Sequence, residues 1–157
     1  MMLGHAITSG ALFLCIGVLY DRYKTRIIFY YGGLCSYMPI FSTLFFVFSL
    51  GNFGLPGTVN FVGEFMILSS GFFLSSVVIL ISSFASIFSL VYSLFLYNRL
   101  IFGPFKNIFL RYYSDASRLE TFILLCFLFF LLFFGLYPNI LIDFSALSII
   151  KINSFII

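Results

Sequence analysis

The sequence predicts an all-α integral membrane protein with about four transmembrane helices, and three observations support this. Of its 157 residues, 62% are hydrophobic and 8% are charged, and the mean hydropathy is +1.18. Soluble domains carry about a quarter charged residues, and a domain this small cannot hide so much apolar surface from water. The few charges are grouped, with long apolar intervals between the groups. These features exclude a soluble enzyme and a disordered chain, and a net charge of only +3 excludes a nucleic-acid binder.

The charge pattern divides the chain into transmembrane intervals. Seven of the eight Lys and Arg residues lie in 21–26 and 99–118. A transmembrane helix needs about 20 residues, and the stretch 38–100 is long enough for two crossings or three. Only two crossings would place both basic loops on the same side, as the positive-inside rule favours. We therefore predict one transmembrane unit over 1–157, with helices at about 1–20, 38–72, 75–100 and 119–141. The tail at 142–157 could form a fifth, short interfacial helix, which the sequence does not decide.

The predicted crossing at 38–72 contains a break. The sequence GNFGLPG at 51–57 places three glycines and a proline in the middle of the membrane, and the hinge residues are Gly51, Gly54, Pro56 and Gly57. Proline removes a backbone donor, and the freed polar groups must be satisfied by protein or water because lipid offers no partner. Discontinuous helices of this kind are typical of ion transporters. A passive kink between packed helices is the other interpretation.

Glu64 is the one charged residue inside apolar sequence. It lies roughly 12 Å beyond Pro56 at 1.5 Å per residue, and Asn60, four residues earlier, shares its helix face. A carboxylate in hydrocarbon is costly, so Glu64 must face the bundle interior or a wet cavity. We expect it to take up and release protons, with Thr58 and Asn60 as supporting polar groups. The alternative is a neutral, hydrogen-bonded structural glutamate.

The remaining polar residues provide fewer indications. His5, the only histidine, lies near the start of the first predicted helix, where it is either a proton relay or a packing residue. Tyr20, Tyr97 and Tyr137 lie at segment ends, which predicts interfacial anchors. No motif for a metal or a redox cofactor is present, so we expect none in this chain and no redox catalysis by it alone.

Four stretches resemble subunit 4 of mitochondrial NADH:ubiquinone oxidoreductase (respiratory complex I), in the family of antiporter-like proton-pumping subunits. They are GALFLCIGVLYDRYKTR at 10–26, YYGGL at 30–34, GLPGTVNFVGEFMIL at 54–68 and YSLFLYNR at 92–99. The resemblance extends over about residues 3–141, and LPGTVNFVGEF is its most specific part. Related antiporter-like subunits carry Lys at the position of Glu64, so the glutamate favours subunit 4.

The resemblance implies the C-terminal part of a fourteen-helix antiporter-like fold, of which this chain supplies the last four helices. It implies that Glu64 belongs to the outward proton half-channel and His5 to a central polar axis. The activity implied is proton pumping coupled to electron transfer from NADH to ubiquinone, with FMN, iron–sulfur clusters and ubiquinone expected elsewhere in the complex. The implied location is the mitochondrial inner membrane, with the loops at 21–26 and 99–118 facing the matrix.

The chain departs from this family in length, because the family's lysines and a further glutamate have no counterpart here. We therefore expect a separately encoded N-terminal part of subunit 4 as a partner. Neighbouring antiporter-like and supernumerary complex I subunits and membrane lipid are also expected, and no nucleic acid. Two alternatives remain: a structural or assembly remnant of the membrane arm without pumping, and a sodium/proton antiporter subunit. The intact hinge and Glu64 argue against the first, and Glu64 and the Phe- and Ile-rich composition argue against the second.

Overall fold

The computed structural model describes residues 1–104, 114–144 and 146, and the regular structure in these residues is entirely helical. Three helices are long and apolar enough to cross a membrane, namely Met2–Tyr23, Ser76–Ile101 and Arg118–Leu136, and two apolar helices are shorter. The predicted all-α membrane fold is therefore confirmed. The five helices of 14 residues or more are α1 (Met2–Tyr23), α2 (Pro39–Asn52), α3 (Val59–Leu74), α4 (Ser76–Ile101) and α5 (Arg118–Leu136).

The interval at 38–72 is divided into the short helices α2 and α3. Residues 53–58 between them are not helical, whereas Gly51 lies within the last turn of α2. Gly54 and Gly57 adopt φ values of 83° and 96°. This left-handed region is readily populated only by glycine, which explains why the connection between α2 and α3 uses glycine at both positions.

The ends of the long helices have local causes. Helix α1 ends where Lys24 adopts φ 53° and its N–H donates to the Tyr20 carbonyl oxygen at 2.8 Å. Helix α5 begins with a capping box, in which the Ser117 side chain accepts from the Glu120 N–H and the Glu120 carboxylate accepts from the Ser117 N–H. Helix α5 ends at Leu136, and residues 139–144 are helical again. Most of the tail at 142–157 lies outside the described residues.

The apolar core lies around α2, which packs between α1, α4 and α5. The largest side chains on the buried face of α2 are Phe41, Phe45 and Phe48, and Phe41 stacks on Phe45 with ring centroids 5.7 Å apart. Tyr97 stacks on Phe45 at 6.0 Å and is only 8% exposed. The expectation that Tyr97 is a lipid-facing anchor is therefore wrong, because its ring belongs to the core, whereas Tyr20 remains exposed.

The described parts of the two basic regions, 21–26 and 99–104 with 114–118, lie at the same end of the helical bundle, which we call the basic end. Arg22 at the end of α1 forms a bidentate ion pair with Glu120 at the start of α5, with N···O distances of 2.7 and 3.2 Å. Asp115 accepts from the backbone N–H groups of Ile40 at 2.9 Å and Phe41 at 3.2 Å. These contacts tie the end of α1 and the starts of α2 and α5 together.

Candidate functional site

The break between α2 and α3 is held to α1 by the Asn60 side chain. Its Nδ2 donates to the Gly51 carbonyl oxygen at 2.9 Å and to the Thr8 Oγ1 at 3.2 Å. The Thr8 hydroxyl lies 3.1 Å from the Gly4 carbonyl oxygen, and Thr8 and Asn60 are both buried. One amide therefore connects the first turn of α3, the last turn of α2 and the first turns of α1. The Gly51 carbonyl oxygen at the break is thus satisfied by protein, whereas the buried Asn60 Oδ1 has no hydrogen-bond partner among the described residues.

Two helical glycines allow close approach to the break. A Cβ atom at Gly4 would collide with the Asn60 Oδ1. A Cβ atom at Gly135 would lie 2.6 Å from the Thr58 carbonyl carbon and closer still to the Gly57 carbonyl oxygen. Helices α1 and α5 can therefore pack directly onto the break only because both positions lack a side chain.

The Glu64 carboxyl group packs against the turn that forms the break. A Cβ atom at Gly54 would lie 2.5 Å from Glu64 Oε2 and 3.2 Å from Oε1, so only glycine leaves room there for the carboxyl group. Among the described residues, no hydrogen-bond donor or cation contacts this half-buried carboxyl group.

A cavity of about 380 Å³ brings this carboxyl group together with polar residues from four helices. His5 comes from α1, Asn52 from α2, and Asn60 and Glu64 from α3. The exposed walls of the cavity are mainly apolar, but its volume has room for several waters beside these polar groups, since each water occupies about 30 Å³ of liquid volume. We call it the Glu64 cavity. Helix α4 contributes Ser82, Ala85, Ser86 and Ser89, and the apolar members are Met1, Ile67 and Leu68.

The structure brings together three of the residues that the sequence singles out, namely His5, Asn60 and Glu64. Thr58 is placed elsewhere, because its buried hydroxyl donates to the Leu55 carbonyl oxygen at 2.7 Å and stabilises the turn. Pro56 is exposed on that turn and does not line the cavity. The supporting polar residue of the cavity is therefore Asn60.

Sequence reasoning missed Thr8, Asn52 and the serines of α4 as members of this site. Asn52 lies inside the GNFGLPG stretch, and its Nδ2 lies 3.4 Å from the Tyr92 hydroxyl of α4. Ser82, Ser86 and Ser89 are spaced i, i+4 and i+7, which places them on one helix face. That spacing is the signal that could have identified them, but the sequence does not say which elements this face meets.

The cavity groups protonatable and hydrogen-bonding side chains and no cluster of metal ligands. Within the described part of the chain, no three His, Cys, Asp or Glu side chains are grouped closely enough to hold a metal ion. The cavity instead offers one carboxyl group, one imidazole, two amides and three hydroxyl groups beside a broken apolar helix. A discontinuous helix that carries a protonatable side chain beside its break is typical of the class of ion-transporting membrane proteins.

The particular family follows from comparison with known proteins. The chain belongs to the family described as NADH:quinone oxidoreductase/Mrp antiporter, TM, whose profile matches residues 1–89. It is 49% identical over 143 residues to NADH-ubiquinone oxidoreductase chain 4 of Marchantia polymorpha, and 50% identical over 143 residues to the protein of that name from Triticum aestivum. It is 43% identical over 157 residues to that of Chondrus crispus. The resemblance seen in the sequence is thereby confirmed.

These alignments cover most of this chain and a minor part of each relative. They include 91% of the chain for the Marchantia and Triticum proteins and 98% for the Chondrus protein. The same alignments include 29%, 29% and 32% of the three relatives. The chain therefore spans about a third of the length of the proteins it matches.

Proposed function

We propose that the chain forms the C-terminal part of the proton-translocating subunit 4 of respiratory complex I and contributes its outward proton half-channel. The names of the relatives and the family description support this assignment. The location is the mitochondrial inner membrane, with the basic end facing the matrix. The convergence of the basic regions at one end of the bundle supports that orientation, because positive charges favour the side from which membrane segments are inserted.

The observation that carries the proposal is the unpaired Glu64 carboxyl group in a cavity that can hold water. In our proposal, protons pass along the polar axis through His5 to Glu64 and leave toward the intermembrane space. Moving one charge against the membrane potential costs about 2.3 kcal/mol per 100 mV, so Glu64 must alternate between connection to the axis and connection to the outside. The helix ends at the break supply a place where such a change can occur without disturbing the apolar core around α2.

Electron transfer from NADH to ubiquinone takes place in other subunits, which hold FMN, the iron–sulfur clusters and ubiquinone. The chain takes part in that reaction as a coupling element and supplies no redox group. Its partners are the remaining part of subunit 4, supplied as a separately encoded N-terminal chain, and the neighbouring antiporter-like and supernumerary subunits.

The test is the Glu64→Gln substitution in the intact complex. Glutamine has the same shape, so the packing against Gly54 and the assembly of the complex should be unchanged. Removing a proton-transferring group lowers rates on the order of 100-fold, so proton pumping coupled to NADH oxidation should fall strongly. The measurement is proton uptake per NADH in sealed vesicles, together with the amount of assembled complex.

The matched control is Asp143→Asn, which makes the same chemical change at an exposed carboxyl group outside the cavity. It should leave both assembly and pumping unchanged. If the Glu64→Gln complex pumped as many protons per NADH as the unaltered one, the proton-transfer role would be rejected. That result would instead support a structural role in the membrane arm.

A further inference from the structure

The Asn60 side chain carries an unpaired acceptor at the edge of the Glu64 cavity. Among the buried side-chain atoms of the described residues, only Asn60 Oδ1 lacks a hydrogen-bond partner, and Asn60 is 3% exposed. A Cβ atom at Gly4 would collide with this oxygen, so it lies directly against the backbone of α1. Buried acceptors without a donor are costly and rare, and they are found where a water, an ion or a reacting group binds.

The orientation of the Asn60 amide is fixed by the partners of its nitrogen. Both N–H groups of Nδ2 are engaged, one with the Gly51 carbonyl oxygen at 2.9 Å and one with Thr8 Oγ1 at 3.2 Å. Exchange of Oδ1 and Nδ2 would place two carbonyl oxygens against each other at Gly51, and neither can donate. The amide oxygen is therefore the atom of Asn60 that is left for a further donor.

The Glu64 carboxyl group is a second acceptor without a donor, and it lies on the same helix face as Asn60. The two residues are spaced i, i+4, at which side chains on a helix can hydrogen-bond to each other, and both line the Glu64 cavity. Both also contact one turn, since Asn60 bonds Gly51 and Glu64 packs on Gly54, whose N–H donates to the Gly51 carbonyl oxygen at 3.3 Å. A carboxylate and an amide oxygen cannot bond without a proton, and a proton on Glu64 would supply the donor.

The other groups that line the cavity are less suited to donate to this oxygen. The hydroxyl groups of Ser82 and Ser86 already donate to backbone carbonyl oxygens of their own helix, at 2.9 and 2.7 Å. His5 follows the residue that the oxygen contacts, and successive helix positions are turned about 100° about the axis. Besides Glu64, the titratable groups among the lining residues are His5 and the Met1 amino group, both from the start of α1, whereas α2 and α4 contribute only uncharged residues.

We infer that Asn60 Oδ1 accepts a hydrogen bond from Glu64 when that carboxyl group is protonated. Proton uptake converts the carboxylate into a carboxylic acid, whose O–H donates to Oδ1 directly or through one water. The χ2 torsion of asparagine is soft, so a small rotation can turn Oδ1 toward Glu64. Release returns the proton to water and leaves both groups as acceptors. Asn60 thereby stabilises the proton-loaded form of Glu64, and this inference rests on the proposed function, in which Glu64 loads and unloads a proton.

The test is infrared difference spectroscopy of the intact complex between acid and alkaline pH. The C=O stretch of protonated Glu64 is the carboxylic-acid band that is absent from the Glu64→Gln complex, and it should lie at the lowered frequency of a hydrogen-bonded acid. Asn60→Leu keeps the size of the side chain and removes the acceptor, so the band should move to the frequency of a free acid. The midpoint of its titration should fall by about 0.5–1 pH unit, the size expected for one hydrogen bond to the protonated form.

The matched control is Thr8→Val, which removes a partner of Nδ2 and keeps Oδ1, so the frequency and midpoint of the band should not change. An unchanged band in Asn60→Leu, or an equal shift in Thr8→Val, would overturn the inference. A free-acid frequency in the unaltered complex, or no band lost in Glu64→Gln, would also overturn it, and this comparison needs no Asn60 variant to assemble. Proton pumping by the Glu64→Gln complex is measured separately in vesicles, so failure of the inference and failure of the proton-transfer role are distinguishable.

Discussion

The basic end and the Glu64 cavity use carboxyl groups in opposite ways. At the basic end, Arg22 engages all five of its N–H donors, and Glu120 and Asp115 accept from cations or backbone N–H groups. In the cavity, Glu64 has no such partner among the described residues. A carboxylate with fixed donors stabilises the fold, whereas one beside open polar space can change its protonation. The partners of a carboxyl group, and not its presence, therefore indicate its role.

The strongest test of this comparison is removal of the cation at the basic end. The Arg22 and Glu120 side chains are 12% and 28% exposed, and Arg22→Leu would remove the cation from Glu120 and the side-chain donors from the Ser114 and Asp115 carbonyl oxygens. Each partly buried acceptor left without a donor costs about 1–3 kcal/mol, so the assembled complex should lose thermal stability and abundance. Thermal unfolding of the purified complex and its amount on native gels provide the measurement. Unaltered stability would show that the basic end is not a structural clamp.

The next largest effect is expected where α5 meets the break. Gly135→Ala places a Cβ atom against the backbone of Gly57 and Thr58, which cannot rotate away. Overpacking of this kind costs about 1–3 kcal/mol, measured as lowered thermal stability of the complex. The control is Gly10→Ala on α1, where the nearest atom, on Phe127, is at an ordinary contact distance of 3.4 Å. Equal losses of stability in the two variants would show that the close contact of α5 with the break does not contribute specifically to stability.

A smaller effect should follow from loss of the Asn60–Thr8 hydrogen bond. In a double-mutant cycle, Asn60→Ala and Thr8→Val should each destabilise the complex, and the coupling energy should be about 1 kcal/mol, as for a single buried hydrogen bond. Additive effects would indicate that the two side chains act independently.

The smallest effect is expected for the second ion pair at the basic end, between Lys24 and Asp21. The N···O distance is 3.7 Å, and the two side chains are 69% and 73% exposed. Exposed pairs contribute about 0–1 kcal/mol, so Lys24→Gln should hardly change thermal stability. A loss as large as that of Arg22→Leu would show that the basic end depends on total positive charge and not on buried geometry.

Much of the fold could be predicted because the deciding quantities are local. The apolar intervals and grouped charges indicate membrane helices, since transfer of each residue into lipid depends mainly on its own side chain. The stretch GNFGLPG indicates a break, and Glu64 stands out as the one charge within apolar sequence. The family resemblance to subunit 4 rests on the same stretches and is confirmed by the relatives.

The partners of these residues could not be predicted, because they come from distant parts of the chain. Asp115 caps helix α2 through Ile40, and Asn60 bonds Thr8 on α1. Tyr97 was expected at the lipid interface but lies in the core, because Phe45 packs against its ring. Neither contact distances nor burial can be derived from the composition of a single segment.

The class of protein, the broken crossing and the carboxyl group next to the break can all be inferred from the amino-acid sequence. The packing of the helices is needed to place Glu64 in one cavity with His5, Asn52 and the serine face of α4, and to bring donors to Glu120 and Asp115. Hydropathy and turn chemistry act within a few residues of chain, whereas a site is formed by side chains that only helix packing brings together.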